Sequence, residues 1–89
     1  MDQKLKAKWI AALRSGEFEQ EFCSTGFGKK CCVIGVGGVI AGLEVERSGT
    51  SRCATALGLT QDEVNDLTNL NDNDRMPFPE LADYIEANL

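Results

Sequence analysis

Apolar residues recur at helical spacing near both ends of the chain. Leu5, Trp9, Ile10 and Leu13 fall on one stripe of a helix over Asp2–Arg14, while Lys4, Lys6, Lys8 and Arg14 take the solvent side. Ser15-Gly16 predicts its end, because glycine enters the left-handed C-cap conformation at little steric cost. Trp9 then reads as a core anchor. Near the other end, Phe78, Leu81, Ala82, Ile85 and Leu89 make a second apolar face. Pro79 is compatible with that helix, since first-turn amides have no intrahelical acceptor.

The middle is less regular. Glu17–Lys30 mixes charges with Phe18, Phe22, Phe27 and glycines, and predicts a loop or short hairpin. Cys31–Leu43 is apolar enough for either a buried strand plus turn or a buried helix. The helix is the reading adopted: it stacks Gly35, Gly38 and Gly42 on one stripe, with Val36, Val39, Ile40 and Leu43 away from it. Each internal glycine costs about 0.5–1 kcal/mol relative to alanine. Such a helix therefore needs tertiary packing, with the bare stripe letting another backbone approach closely. Glu46–Ala56, containing Ser48-Gly49-Thr50-Ser51, reads as a mobile polar connection. Thr60-Gln61-Asp62-Glu63 is a capping box, with Leu59 and Val64 as its hydrophobic staple. The helix it starts runs through Val64, Leu67 and Leu70 until Asn69, Asn71 and Asn73 break it. The expected fold is mainly α, or α with a short β-hairpin, in one domain over residues 1–89. It has about four helices. Trp9, Leu13, Val36, Ile40, Leu67, Leu81 and Ile85 are expected to meet in the core.

A chain of 89 residues supports one hydrophobic core. Its 14 acidic and 9 basic residues give a net charge of −5, which opposes general attraction to nucleic acid or anionic lipid. No nucleic-acid or membrane partner is expected. The chain has no histidine, which excludes imidazole bases and His ligands. The first residues, Met1-Asp2-Gln3-Lys4-Leu5-Lys6, do not resemble a secretory signal, so a cytoplasmic protein with reduced thiols is expected.

Three motifs invite chemistry. Val33-Ile34-Gly35-Val36-Gly37-Gly38 looks like the start of a dinucleotide fingerprint, but Ile40 stands where the third glycine belongs. Cys23, Cys31, Cys32 and Cys53 offer four thiolates for zinc, yet no pair has the chelating C-x-x-C spacing. A thiol of Cys31 or Cys32 near a helix start is instead a candidate for a lowered pKa and redox sensitivity. Asn69, Asn71, Asn73, Arg75 and Glu80 echo an EF-hand's ligand spacing, but Asp74 replaces the glycine of its sharp turn. An asparagine-rich turn between helices is the simpler reading. No catalytic residue, metal ligand or cofactor is assigned.

Charge is unevenly placed. From Thr60 onward eight carboxylates face the single base Arg75, whereas the preceding residues carry eight bases and six acids. Such asymmetry makes a surface for a basic partner, or lets the basic first helix meet the acidic last one, within the fold or between copies in a homodimer. Asp72, Asp74, Glu80, Asp83 and Glu86 are the candidate binding residues.

Lys8-Trp9-Ile10-Ala11-Ala12-Leu13-Arg14-Ser15-Gly16 with Gln20, Cys31-Cys32-Val33-Ile34-Gly35-Val36, Leu67-Thr68-Asn69-Leu70-Asn71-Asp72, and Phe78-Pro79-Glu80-Leu81-Ala82-Asp83-Tyr84-Ile85-Glu86 occur in that order. Together they resemble small uncharacterised proteins of tailed bacteriophages and prophages. The glycine-rich Gly35–Gly42 stretch stands where such relatives are more leucine-rich. The resemblance implies phage origin, a compact domain in the host cytoplasm and no particular reaction. The function expected is that of a non-enzymatic accessory protein that binds a host or phage protein; the alternative is a cysteine-dependent zinc or redox module.

Overall fold

The structure is a computed structural model describing residues 1–89. Helix α1 (Gln3–Ser15) starts at Asp2, whose carboxylate accepts from the Lys4 and Leu5 amides, and stops at Gly16 with φ 79°. It buries Trp9, Ile10 and Leu13. Three two-residue strands follow: β1 (Glu19–Gln20), β2 (Gly26–Phe27) and β3 (Lys30–Cys31). The β2–β3 pair is the short hairpin expected for this region, with Phe27 opposite Lys30. Beyond it, β1 adds a parallel third strand on the other edge of β3, which pairing this short cannot announce in sequence.

Helix α2 (Val33–Ile40) confirms the helical reading of the glycine-rich stretch. Its glycines are occupied by neighbours rather than by space. A Cβ at Gly35 would strike the Thr25 carbonyl, one at Gly38 the Cys53 sulfur, and one at Gly37 the Leu57 side chain. Gly42 departs from the expected stripe: it lies past the helix at φ 94° with no near neighbour. Ile40, expected in the core, is only half-buried, because it closes the last turn of α2 at the core's margin.

The element pressed against Gly38 and Gly37 is α3 (Val45–Leu57), and this corrects the reading of Glu46–Ala56 as a connection. Glu46, Arg47, Ser51, Arg52 and Thr55 face solvent, Ser48 and Thr50 are half-buried, and Val45, Cys53, Ala54 and Leu57 are buried. Gly49, at φ 72° and ψ 167°, breaks the helical geometry near the middle. The two halves are therefore too short to show a clean period. With α3 the chain has five α-helices rather than about four.

Helix α4 (Gln61–Thr68) opens on the expected reciprocal capping box of Thr60 and Glu63. The asparagines do not break it. Residues Asn69–Asn73 continue as a wide π-helical turn, closed by the Asp74 amide donating to the Asn69 carbonyl. Asn69 keeps right-handed helical geometry, and the side chains of Asn69 and Asn73 bond each other rather than the backbone, which removes the local bonds that would end the helix. The chain then reverses at Arg75, φ 50°, and enters α5 (Phe78–Asn88) with Pro79 in its first turn. Helices α1 and α5 pack together, and α2 packs on both α1 and α3. The core holds Trp9, Leu13, Val36, Leu67, Leu81 and Ile85 as expected, and Cys31, Val33, Ile34, Cys53 and Leu57 besides.

Candidate functional site

The wide turn after α4 places Asn71 inside the protein, where it is the one polar side chain that is buried. All of its hydrogen-bonding capacity is engaged. Its Oδ1 accepts from the Val33 amide (3.1 Å) and from Gln20 Nε2 (3.0 Å). Its Nδ2 donates to the Glu21 carbonyl (2.8 Å) and to Asp72 Oδ1 (2.7 Å). A buried amide satisfied in this way specifies one arrangement of its neighbours, because any slip leaves a polar group without water or partner. The Val33 peptide is gripped from both sides, since Trp9 Nε1 donates to its carbonyl at 2.9 Å. The start of α2 is thus tied at once to α1, β1 and the wide turn.

Beside this hub lies a cavity of about 390 Å³. Its polar wall consists of Ser24, Thr25, Thr50, Thr68 and Asp72, and Val33 and Ile34 supply apolar surface. Asp72 Oδ1 accepts from the Cys23 amide (2.9 Å) as well as from Asn71, and Thr25 and Thr50 share a hydroxyl hydrogen bond of 2.6 Å. The start of α2 offers no free anion cradle: the Val33 amide is spent on Asn71 and the Gly35 amide on Cys32 Sγ at 3.3 Å.

The five acidic residues singled out in the sequence do not form one patch. Asp72 belongs to the cavity. Asp83 and Glu86 are brought together on α5 around Arg14 of α1, at 2.7 and 3.5 Å, so the basic first helix does meet the acidic last one within the fold. The hydrogen bonds that Arg14 donates to Asp83 and then to Glu86 raise its pKa above the usual value. Asp74 and Glu80 are exposed and have no ion-pair partner. Arg75, the only base of this region, lies over the Phe22 ring at 4.6 Å and pairs with no carboxylate.

The cysteines are similarly dispersed. Cys23 is exposed in the loop after β1, while Cys31, Cys32 and Cys53 are buried. Cys32 does cap a helix, as a reactive thiol would, yet burial raises its pKa against the opposing effect of the Gly35 and Ile34 amides. Burial likewise pushes Cys31 up to about 11 and raises Cys53. These directions disfavour the thiolate, the reactive form. No three cysteine or carboxylate side chains converge closely enough to hold a metal ion. The EF-hand-like spacing does not converge either, because Asn71 points into the core and Arg75 onto Phe22.

A domain of unknown function, DUF8296, matches residues 1–46, just over half of the chain. The chain belongs to the DUF8296 family. The matched DUF8296 segment comprises α1, the three strands, α2 and the entry to α3. It supplies Trp9, Gln20 and Val33 to the Asn71 hub, but Asn71 and the acid-rich helices lie beyond it. No curated protein and no solved structure matches the chain. No helix is long and apolar enough to cross a membrane.

Sequence reasoning did not find Ser24, Thr25, Thr50 or Thr68 as site residues. Each is a common polar residue, and only the fold gathers them from three separate segments. Asn71 did stand out, as one of three alternating asparagines, but the pattern alone did not distinguish the inward one from its exposed neighbours.

Proposed function

We propose that this chain is a non-enzymatic binding module whose acidic second half docks a basic segment of another protein. The observation that carries this reading is the imbalance of charge from Asp62 onward. Of eight carboxylates there, only Asp83 and Glu86 have an ion partner, and Asp62, Asp66, Asp74 and Glu80 stand exposed without one. Unpaired surface charge of one sign steers oppositely charged partners and suppresses like-charged ones. The resemblance of the opening and closing motifs to phage proteins supports a host or phage protein as the partner and the host cytoplasm as the setting. The raised thiol pKa values weigh against the cysteine-dependent alternative.

The test is capture of partners from host lysate by the wild-type chain and by the combined Asp62→Asn, Asp66→Asn, Asp74→Asn, Glu80→Gln variant. Retention is expected at low ionic strength and release as salt rises, since screening length falls from about 8 Å at 0.15 M to about 3 Å at 1 M. The neutralised variant is expected to retain little. A partner held equally by both proteins at high salt refutes the reading.

A further inference from the structure

We infer that the cavity beside Asn71 receives an arginine side chain of the basic partner, with Asp72 as its anchoring carboxylate. The inference rests on the binding function proposed above and gives it a socket. Asp72 Oδ1 is committed to the Cys23 amide and to Asn71, but Asp72 Oδ2 has no hydrogen-bond partner in the chain. The hydroxyls of Ser24 and Thr68, which line the same cavity, make no hydrogen bond either, and the Thr25–Thr50 pair uses one hydroxyl hydrogen between two oxygens. The cavity therefore presents one acceptor-only carboxylate oxygen and several hydroxyls able to accept, around a single formal charge, which is negative.

That inventory selects the ligand. No lysine or arginine lines the cavity and the Val33 and Gly35 amides are already engaged, so an anion would find only neutral hydroxyl donors, no countercharge, and the Asp72 carboxylate to repel it. A cation finds both a carboxylate oxygen and neutral acceptors. Among cations, a guanidinium has five N–H donors in a planar fork and is weakly hydrated, which suits a partly enclosed cavity with spread acceptors better than the compact, strongly hydrated ammonium of lysine. Val33 and Ile34 offer apolar surface to the methylene stem. The volume of about 390 Å³ falls within the usual range for small-ligand pockets, roughly 300–1,000 Å³.

The probe is N-acetyl-arginine amide, titrated into the intact 89-residue protein and followed by amide chemical shifts, with N-acetyl-citrulline amide as its neutral isostere. Saturable shifts are expected at Ser24, Thr25, Val33, Ile34 and Asp72, with a dissociation constant in the millimolar range and no saturation by the citrulline compound. Asp72→Asn keeps an acceptor for the Cys23 amide and Asn71 while removing the charge, and is expected to weaken binding at least tenfold. Thr68→Val and Ser24→Ala leave the Asp72 bonds untouched and are expected to weaken it severalfold, so the conclusion stands even if the Asp72 variant folds poorly. Glu17→Gln, exposed after α1 and outside the cavity lining, is expected to change nothing. Equal binding of arginine and citrulline compounds, shifts spread over α4 and α5 without saturation, or full affinity in Thr68→Val and Ser24→Ala together overturns the socket. Salt-dependent capture of a partner that persists in those cavity variants overturns the socket alone; saturable arginine binding with no salt-dependent capture of a partner overturns the proposed docking function instead.

Discussion

Replacing Asn71 by alanine removes four hydrogen bonds from one buried position. The consequences for its partners differ. Gln20 Nε2 keeps the Met76 carbonyl at 2.7 Å and Asp72 Oδ1 keeps the Cys23 amide, so those two groups lose one bond each and remain paired. The Val33 amide, on a residue with no exposed surface, is left without its acceptor. An orphaned buried donor costs about 1–3 kcal/mol and each of the three further lost bonds about 0.5–1.5 kcal/mol, giving roughly 2.5–7.5 kcal/mol for Asn71→Ala. That is a large part of the roughly 5–15 kcal/mol by which domains are stable. Asn71→Asp sharpens the test. It keeps the oxygen that serves Val33 and Gln20 but turns the donor end into a second oxygen, facing the Glu21 carbonyl and the Asp72 carboxylate. Burial and a neighbouring like charge raise the introduced carboxyl's pKa in the fold above its unfolded value of about 3.9. The neutral acid can still donate, so the deficit relative to wild type is smallest near pH 4 and grows as pH rises through the folded-state pKa. Urea denaturation of wild type and both variants at pH 4 and pH 7 measures this. A loss below about 1 kcal/mol in Asn71→Ala, where a buried orphan alone accounts for more, or a pH-independent deficit in Asn71→Asp, refutes the role assigned to this residue.

Three further outcomes follow from the same packing. Gly38→Ala drives a methyl into Cys53 and is expected to cost about 1–3 kcal/mol, as overpacking does, with part of that recovered in a Cys53→Ala background; thermal melts of the single and double variants decide it. Because burial holds the Cys31, Cys32 and Cys53 thiols protonated, Cys31 to about 11, the unfolded chain loses protons first as pH rises above about 9; stability is expected to be intact below that and to fall between about 9 and 11, measured by denaturation across that window, and a rise or plateau there contradicts the assigned burial. A chromogenic disulfide reagent is expected to titrate Cys23 rapidly and the other three thiols only at the rate of unfolding; three or four fast thiols would show that Cys31, Cys32 and Cys53 are not enclosed.

What could be read in the sequence was what neighbouring residues decide among themselves. The Gly16 stop and the Thr60–Glu63 capping box involve partners a few residues apart, so their signals survive without knowledge of the rest of the chain. The glycine stripe of α2 was legible too, together with its implication that some backbone must lie close to it. The identity of that neighbour was not. It is α3, whose buried residues Val45, Cys53, Ala54 and Leu57 are separated by Gly49 and by a polar run that looks like a connection when taken alone. Yet the two readings constrain each other. A bare stripe on α2 requires a close, regular partner, and the second half of Glu46–Ala56 supplies one in Cys53, where small size and an apolar sulfur fit the space left by Gly38. The cavity follows the same logic one level further out. Its walls come from residues 23–25, 32–34, 50, 68 and 71–72, and Thr50 reaches Thr25 only because α3 is a helix lying across α2. The site was therefore hidden behind the one element whose helical nature the pattern concealed, while Asn71, which ties the acid-rich turn to the DUF8296-matched half, makes the shape of that site and the stability of the fold a single property.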